Sequence, residues 1–134
     1  MVTQQDGWRS VSVGDLLVFR APTDARDRAA QPIDSLAGLI DGPGYEITYD
    51  YGRFSERVEA HRDRPGYAVS VGRLGSRRMQ KASFLDVENN PDLPVARVMR
   101  VEDGANALTL RVSCSDEATC AFADVLFGSV EFRK

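Results

Sequence analysis

Along most of the chain hydrophobic and polar residues alternate with period two, the pattern of strands with one buried face. The clearest stretch sets Tyr45, Ile47, Tyr49 and Tyr51 against Glu46, Thr48 and Asp50, and Gly52 closes it. The same alternation runs from Tyr67 to Val71. It recurs where Val95, Arg97, Met99 and Val101 oppose Ala96, Val98 and Arg100, and where Leu108, Leu110, Val112 and Cys114 oppose Thr109, Arg111 and Ser113. Trp8, Val11 and Val13 lead through Gly14-Asp15 into the run Leu16 to Phe19, a hairpin signal. Ser35 to Ile40 and Met79 to Val87 read as further strands, with turns at Asp41-Gly42-Pro43-Gly44, Gly75-Ser76 and Asp103-Gly104. Residues 21–34 and 53–66 are charged, punctuated by proline and without period, and read as loops.

The period changes once. Ser115 is placed to cap a helix over about 116–127, with Asp116 and Glu117 in its first turn. Ala118, Phe122, Val125 and Leu126 form its expected apolar stripe, and Gly128 stops it. Val130 and Phe132 then supply a short final strand. This order predicts an α+β domain: an antiparallel β-sheet of about six or more strands built from hairpins, with the C-terminal helix packed on one face. The polar alternates should then face solvent on the other side. Residues 8–134 read as a single globular domain. Residues 1–7, which hold no basic and apolar leader pattern, read as a disordered or added segment.

At 134 residues and 43% hydrophobic content the chain can bury a core of ordinary size and is no disordered segment. Residues 1–67 carry 8 basic and 11 acidic groups and residues 68–134 carry 9 and 9, so the net charge of −3 is evenly spread. That balance predicts no nucleic-acid partner, and no apolar run approaches the ~20 residues of a membrane span. The expected partner is a protein or a small-molecule ligand, and the expected state a monomer or weak dimer.

Cys114 and Cys120, six positions apart, match neither a zinc pattern nor a C-x-x-C redox motif. A disulfide joining strand end to helix start would favour an oxidising compartment, and two buried thiols packing as small hydrophobes are the alternative. His61 is the only histidine, which excludes a two-histidine metal site within one chain. It lies in the charged segment Glu56 to Asp63 and reads as a solvated surface residue rather than a ligand beside Glu59 and Asp63. No metal site, cofactor fingerprint or catalytic residue is expected.

Glu46 and Asp50 share one strand face and could in principle run acid–base chemistry. Four residues at a rise of ~3.4 Å separate their backbones by about 13.6 Å, beyond the ~5–9.5 Å spacings of glycosidase pairs, so a solvated polar row fits better. Tyr45, Tyr49, Tyr51 and Phe54 could form an aromatic platform, although period two favours the core. Tyr51 and Phe54 sit at the strand's end, where a cleft would open, and with Asp50 and Glu46 make the candidate binding set. Arg73, Arg77, Arg78 and Lys81 form the only basic cluster and read as a solvated hairpin tip, with an acidic partner as the functional alternative. Gly72-Arg73-Leu74-Gly75 spells the G-x-x-G of an RNA-binding loop but follows a strand rather than a helix.

The opening Trp8, the hairpin running from Leu16 to Pro22, the Gly44 to Tyr49 strand, and the closing helix with Phe127-Gly128-Ser129-Val130-Glu131-Phe132 together resemble the PsbP-like fold. Ile33-Asp34-Ser35 followed by Tyr49-Asp50-Tyr51-Gly52 is similar to uncharacterised exported proteobacterial members. The resemblance spans about residues 8–132. It implies a non-catalytic accessory or binding domain of the bacterial cell envelope, and carries no functional residue over. The alternatives are a cytoplasmic regulator of a GTPase-like protein, by analogy with a Ran-release factor of that fold, and a small hydrolase using Glu46, Asp50 and Tyr51.

Overall fold

The computed structural model of the chain describes residues 7–27, 36–53 and 55–133, and among these the alternating segments form ten strands. They are β1 (Trp8–Val13), β2 (Leu17–Pro22), β3 (Arg26–Asp27), β4 (Ala37–Gly42), β5 (Tyr45–Gly52), β6 (Ala68–Leu74), β7 (Arg77–Leu85), β8 (Val95–Asp103), β9 (Asn106–Cys114) and β10 (Glu131–Phe132). Seven make one sheet in the order β3-β4-β5-β9-β8-β7-β6, and β1-β2-β10 make a second. All the strand pairs are antiparallel, so the α+β domain expected from the alternation is the one formed. Gly75 and Gly104, with φ of 63° and 65°, supply the left-handed residues of the β6–β7 and β8–β9 turns.

Register explains where the core sits. Tyr45, Ile47, Tyr49 and Tyr51 of β5 lie opposite Cys114, Val112, Leu110 and Leu108 of β9, so the aromatic face continues into an aliphatic one. Met99 and Val101 extend it on β8. The small sheet covers this front face: Val11, Val13, Leu17 and Phe19 are buried against it, and the Phe19 ring meets Tyr49 edge-on at 5.8 Å. On β4 the tyrosines lie over glycine. A Cβ on Gly38 or Gly42 would collide with the Tyr49 or Tyr45 ring, so these positions let the rings lie flat on the neighbouring strand.

Cys114 and Cys120 form a disulfide, with Cα atoms 5.5 Å apart. It ties the end of β9 to the turn that leads into α1 (Ala123–Gly128). By the loop-entropy model a seven-residue ring contributes about 2.4 kcal/mol.

The helix differs from the expected one. A 3-10 turn occupies Thr119–Phe122, and α-helix begins only at Ala123. Ser115 does not cap it: the 3-10 turn starts from Ala118 with no side-chain cap, and Asp116 Oδ1 accepts the Thr119 N–H at 2.8 Å. Because a 3-10 turn advances three residues per turn instead of 3.6, the buried stripe shifts to Cys120, Ala123, Leu126 and Phe127. Val125, placed in the core by a continuous α-period, is 55% exposed.

The back face also departs from expectation. Instead of lying open to solvent, it is covered over β7, β8 and β9 by the connection from β5 to β6. Val58, in the 3-10 turn Val58–His61, is fully buried with Ala82, Phe84, Ala96 and Val98, and Tyr67 packs against this second core. Hence both faces of β8 are buried. His61 is thereby corrected from a solvated residue to one only 6% exposed, its ring stacked on Phe84 at 4.4 Å. The charged sequence around it hides this, since Glu59, Ala60, Arg62 and Asp63 point outward while Val58 and His61 point in.

Candidate functional site

Of the four candidate binding residues, three fall within the described residues and they do not converge. Tyr51 is only 8% exposed: its ring belongs to the front-face core, and its hydroxyl reaches the end of the sheet. Glu46 and Asp50 lie on the back face of β5, opposite Ser113 and Thr109 of β9. Glu46 is half-buried and Asp50 exposed. Phe54 lies outside the described residues.

What Tyr51 does join is the basic cluster. Its hydroxyl donates to Asp103 Oδ2 at 2.6 Å, and Arg77 Nε donates to Asp103 Oδ1 at 3.2 Å. The Arg77 guanidinium also stacks 4.0 Å from the centre of the Phe132 ring on β10. Burial first, then the Asp103 hydrogen bond and charge, holds the Tyr51 hydroxyl above the ordinary tyrosine pKa. Arg77 is therefore a neutralised, positioned side chain.

Alternation splits the four basic residues between the two faces. Arg77 and Lys81 share the front face, where Lys81 pairs with Asp124 of α1 at 3.6 Å. Arg73 and Arg78 are cross-strand partners on the back face, directly opposite each other in the β6–β7 ladder. Both are exposed. Arg73 donates to the Ser76 carbonyl at 3.1 Å, and no carboxylate pairs with either arginine among the described residues. Like charges placed opposite one another on a ladder repel. An open cleft of about 530 Å³ at this rim is lined by Arg73, Arg77, Arg78, Glu102 and Asp103, among others.

A second polar group, not foreseen from sequence, pins the β5–β6 connection to the back face. Asp86 is 4% exposed and accepts from Arg111 at 2.8 Å, while Arg64 Nε lies 3.2 Å away. Asn89 donates to the same carboxylate, and the Arg111 guanidinium sits 5.3 Å from the centre of the Phe84 ring. Thr109 donates its hydroxyl to the Glu56 carbonyl at 2.7 Å. His61 Nε2 lies 3.3 Å from Glu56 Oε2 in a geometry that makes no hydrogen bond. A signal for this group did exist: Asp86 and Arg111 are charges within otherwise strand-like runs, and such charges need partners when covered.

Among the described residues no group of three or more His, Cys, Asp or Glu side chains could hold a metal ion. Nor is any helix there long and apolar enough to cross a membrane. No protein-family model matches this chain, and no curated protein matches its sequence.

Proposed function

We propose that this chain is a non-catalytic binding domain of an oxidising compartment such as the bacterial cell envelope, and that it takes an acidic segment of a protein partner at the β6–β7 rim. The observation that carries this reading is the opposed pair Arg73 and Arg78, exposed and unmatched by a carboxylate among the described residues. An arriving carboxylate relieves their mutual repulsion, while Tyr51, Asp103 and Arg77 hold the adjacent wall of the cleft rigid. The Cys114–Cys120 bridge supports the oxidising compartment. The resemblance of the sequence to the PsbP-like fold, which implies a non-catalytic binding domain, belongs to the same reading.

The test is binding of a fluorescently labelled peptide rich in Asp and Glu, followed by anisotropy at low and physiological salt. Replacing both Arg73 and Arg78 with Gln should weaken binding by about tenfold, ~1.4 kcal/mol, and remove most of the salt dependence. An Arg20→Gln control, at an exposed position of β2, should bind as the unmodified chain does. Equal affinity in the doubly substituted chain would end the proposal.

A further inference from the structure

The seven-stranded sheet ends unevenly. At one side stands the two-residue β3, and at the other stands β6, seven residues long. An open edge carries a row of unpaired backbone donors and acceptors, and proteins ordinarily blunt it with lysine, proline, a bulge or brevity. Apart from the charge of Arg73 near its end, β6 has none of these. Its register with β7 runs unbroken from Ala68↔Ser83 to Leu74↔Arg77, and Ala68 to Gly72 carry no charge and no proline. Val69 is 47% exposed and Val71 62% exposed.

We infer that β6 pairs with β6 of a second copy of this chain, antiparallel about a two-fold axis through Ser70, joining the two large sheets edge to edge. The strand is self-complementary in that register. Val69 falls opposite the partner's Val71 and Tyr67 opposite the partner's Arg73, all on the back face, while Ala68, Ser70 and Gly72 meet as small residues on the front. Each valine gains an apolar cross-strand neighbour, the Arg73 stem gains an aromatic one, and no like charges stand opposite. Shifting the axis to Arg73 would set Arg73 against itself, which charge disfavours. The axis at Ser70 also puts Arg73 at either end of the seam, so that Arg78 and the rest of each rim stay outside it. The two Arg73 residues stand six strand residues apart, about 20 Å, so the dimer presents two rims to one partner. An isologous seam of this length is small, which makes the dimer a concentration-dependent one.

Sedimentation over a wide concentration range should show the chain passing from monomer to dimer, and Val71→Lys should hold the mass at the monomer value throughout. Because Val71 is exposed, that variant should retain the circular dichroism of the unmodified chain. Ser70→Cys places two thiols face to face on the axis and should cross-link rapidly with oxidised glutathione, whereas Val71→Cys, set diagonally across the seam, should cross-link slowly. A chain that stays monomeric at every concentration overturns the inference. So does a dimer that survives Val71→Lys, or equal cross-linking at the two positions. Protection of β6 amides by an extended foreign peptide, in a chain that never self-associates, would assign the edge to that partner instead.

Discussion

Asp86→Ala removes the carboxylate that Arg64 and Arg111 share beneath the β5–β6 connection. Deleting one member of a buried ion pair costs about 3–5 kcal/mol when the remaining charge cannot reach water. Here the Arg64 and Arg111 side chains keep 32% and 20% of their exposure, so part of the stranded charge is rehydrated. The expected loss is therefore about 2–3 kcal/mol. In urea denaturation followed by circular dichroism, slopes of about 1–3 kcal/mol/M convert this into a midpoint drop on the order of 1 M. The acid limb adds a second reading. Burial works to raise the Asp86 pKa, but the Arg111 hydrogen bond and charge, with Asn89 and Arg64, outweigh it and hold the carboxyl below its ordinary value. A lowered folded value means stability that is present above the unfolded pKa, ~3.9, and lost as pH falls through the folded one. The gap in stability between the unmodified chain and Asp86→Asn should thus hold steady near neutrality and close in acid below about pH 4. An Asp86→Ala loss under about 0.5 kcal/mol, the ordinary range for a surface substitution, would refute the network as a clamp. So would a gap that persists undiminished into acid.

Other consequences follow from the core and the rim. Reducing the Cys114–Cys120 bridge, or replacing both cysteines with Ser, should lower stability by about 2.4 kcal/mol in the same urea assay. Gly42→Ala drives a methyl into the Tyr45 ring, whose hydroxyl is held by Asp24, and should cost about 1–3 kcal/mol by overpacking. Tyr51→Phe deletes the hydrogen bond to Asp103 and should cost about 1–2 kcal/mol at neutral pH. A raised tyrosine pKa stabilises the fold below the unfolded value and is lost as pH rises. The difference between the unmodified chain and Tyr51→Phe should accordingly shrink above about pH 10, read by alkaline unfolding.

Period-two alternation carried most of the fold, because on β5, β8 and β9 the side chains of one face really do share one core. Where the sequence misled, a local departure from regular geometry was responsible. The 3-10 turn at Thr119–Phe122 shifted the helix phase and moved Val125 outward. The charged run Glu56 to Asp63 hid the inward pair Val58 and His61, since a short helical turn needs only two buried residues to anchor it. The rim was half legible. Alternation alone assigns Arg73 and Arg78 to one face and Arg77 to the other once the turn at Gly75-Ser76 is placed. The link from Tyr51 through Asp103 to Arg77 joins three strands and needs the β5-β9-β8-β7 order, which no local pattern contains.

The most direct test of the binding account is an amide NMR titration of the isotopically labelled chain with an acidic peptide. Saturable shifts should concentrate at Arg73, Ser76, Arg78 and Glu102, weaken with salt and vanish when Arg73 and Arg78 are both Gln. Shifts centred instead on Glu46 and Asp50, or no shifts at the β6–β7 rim, would contradict it.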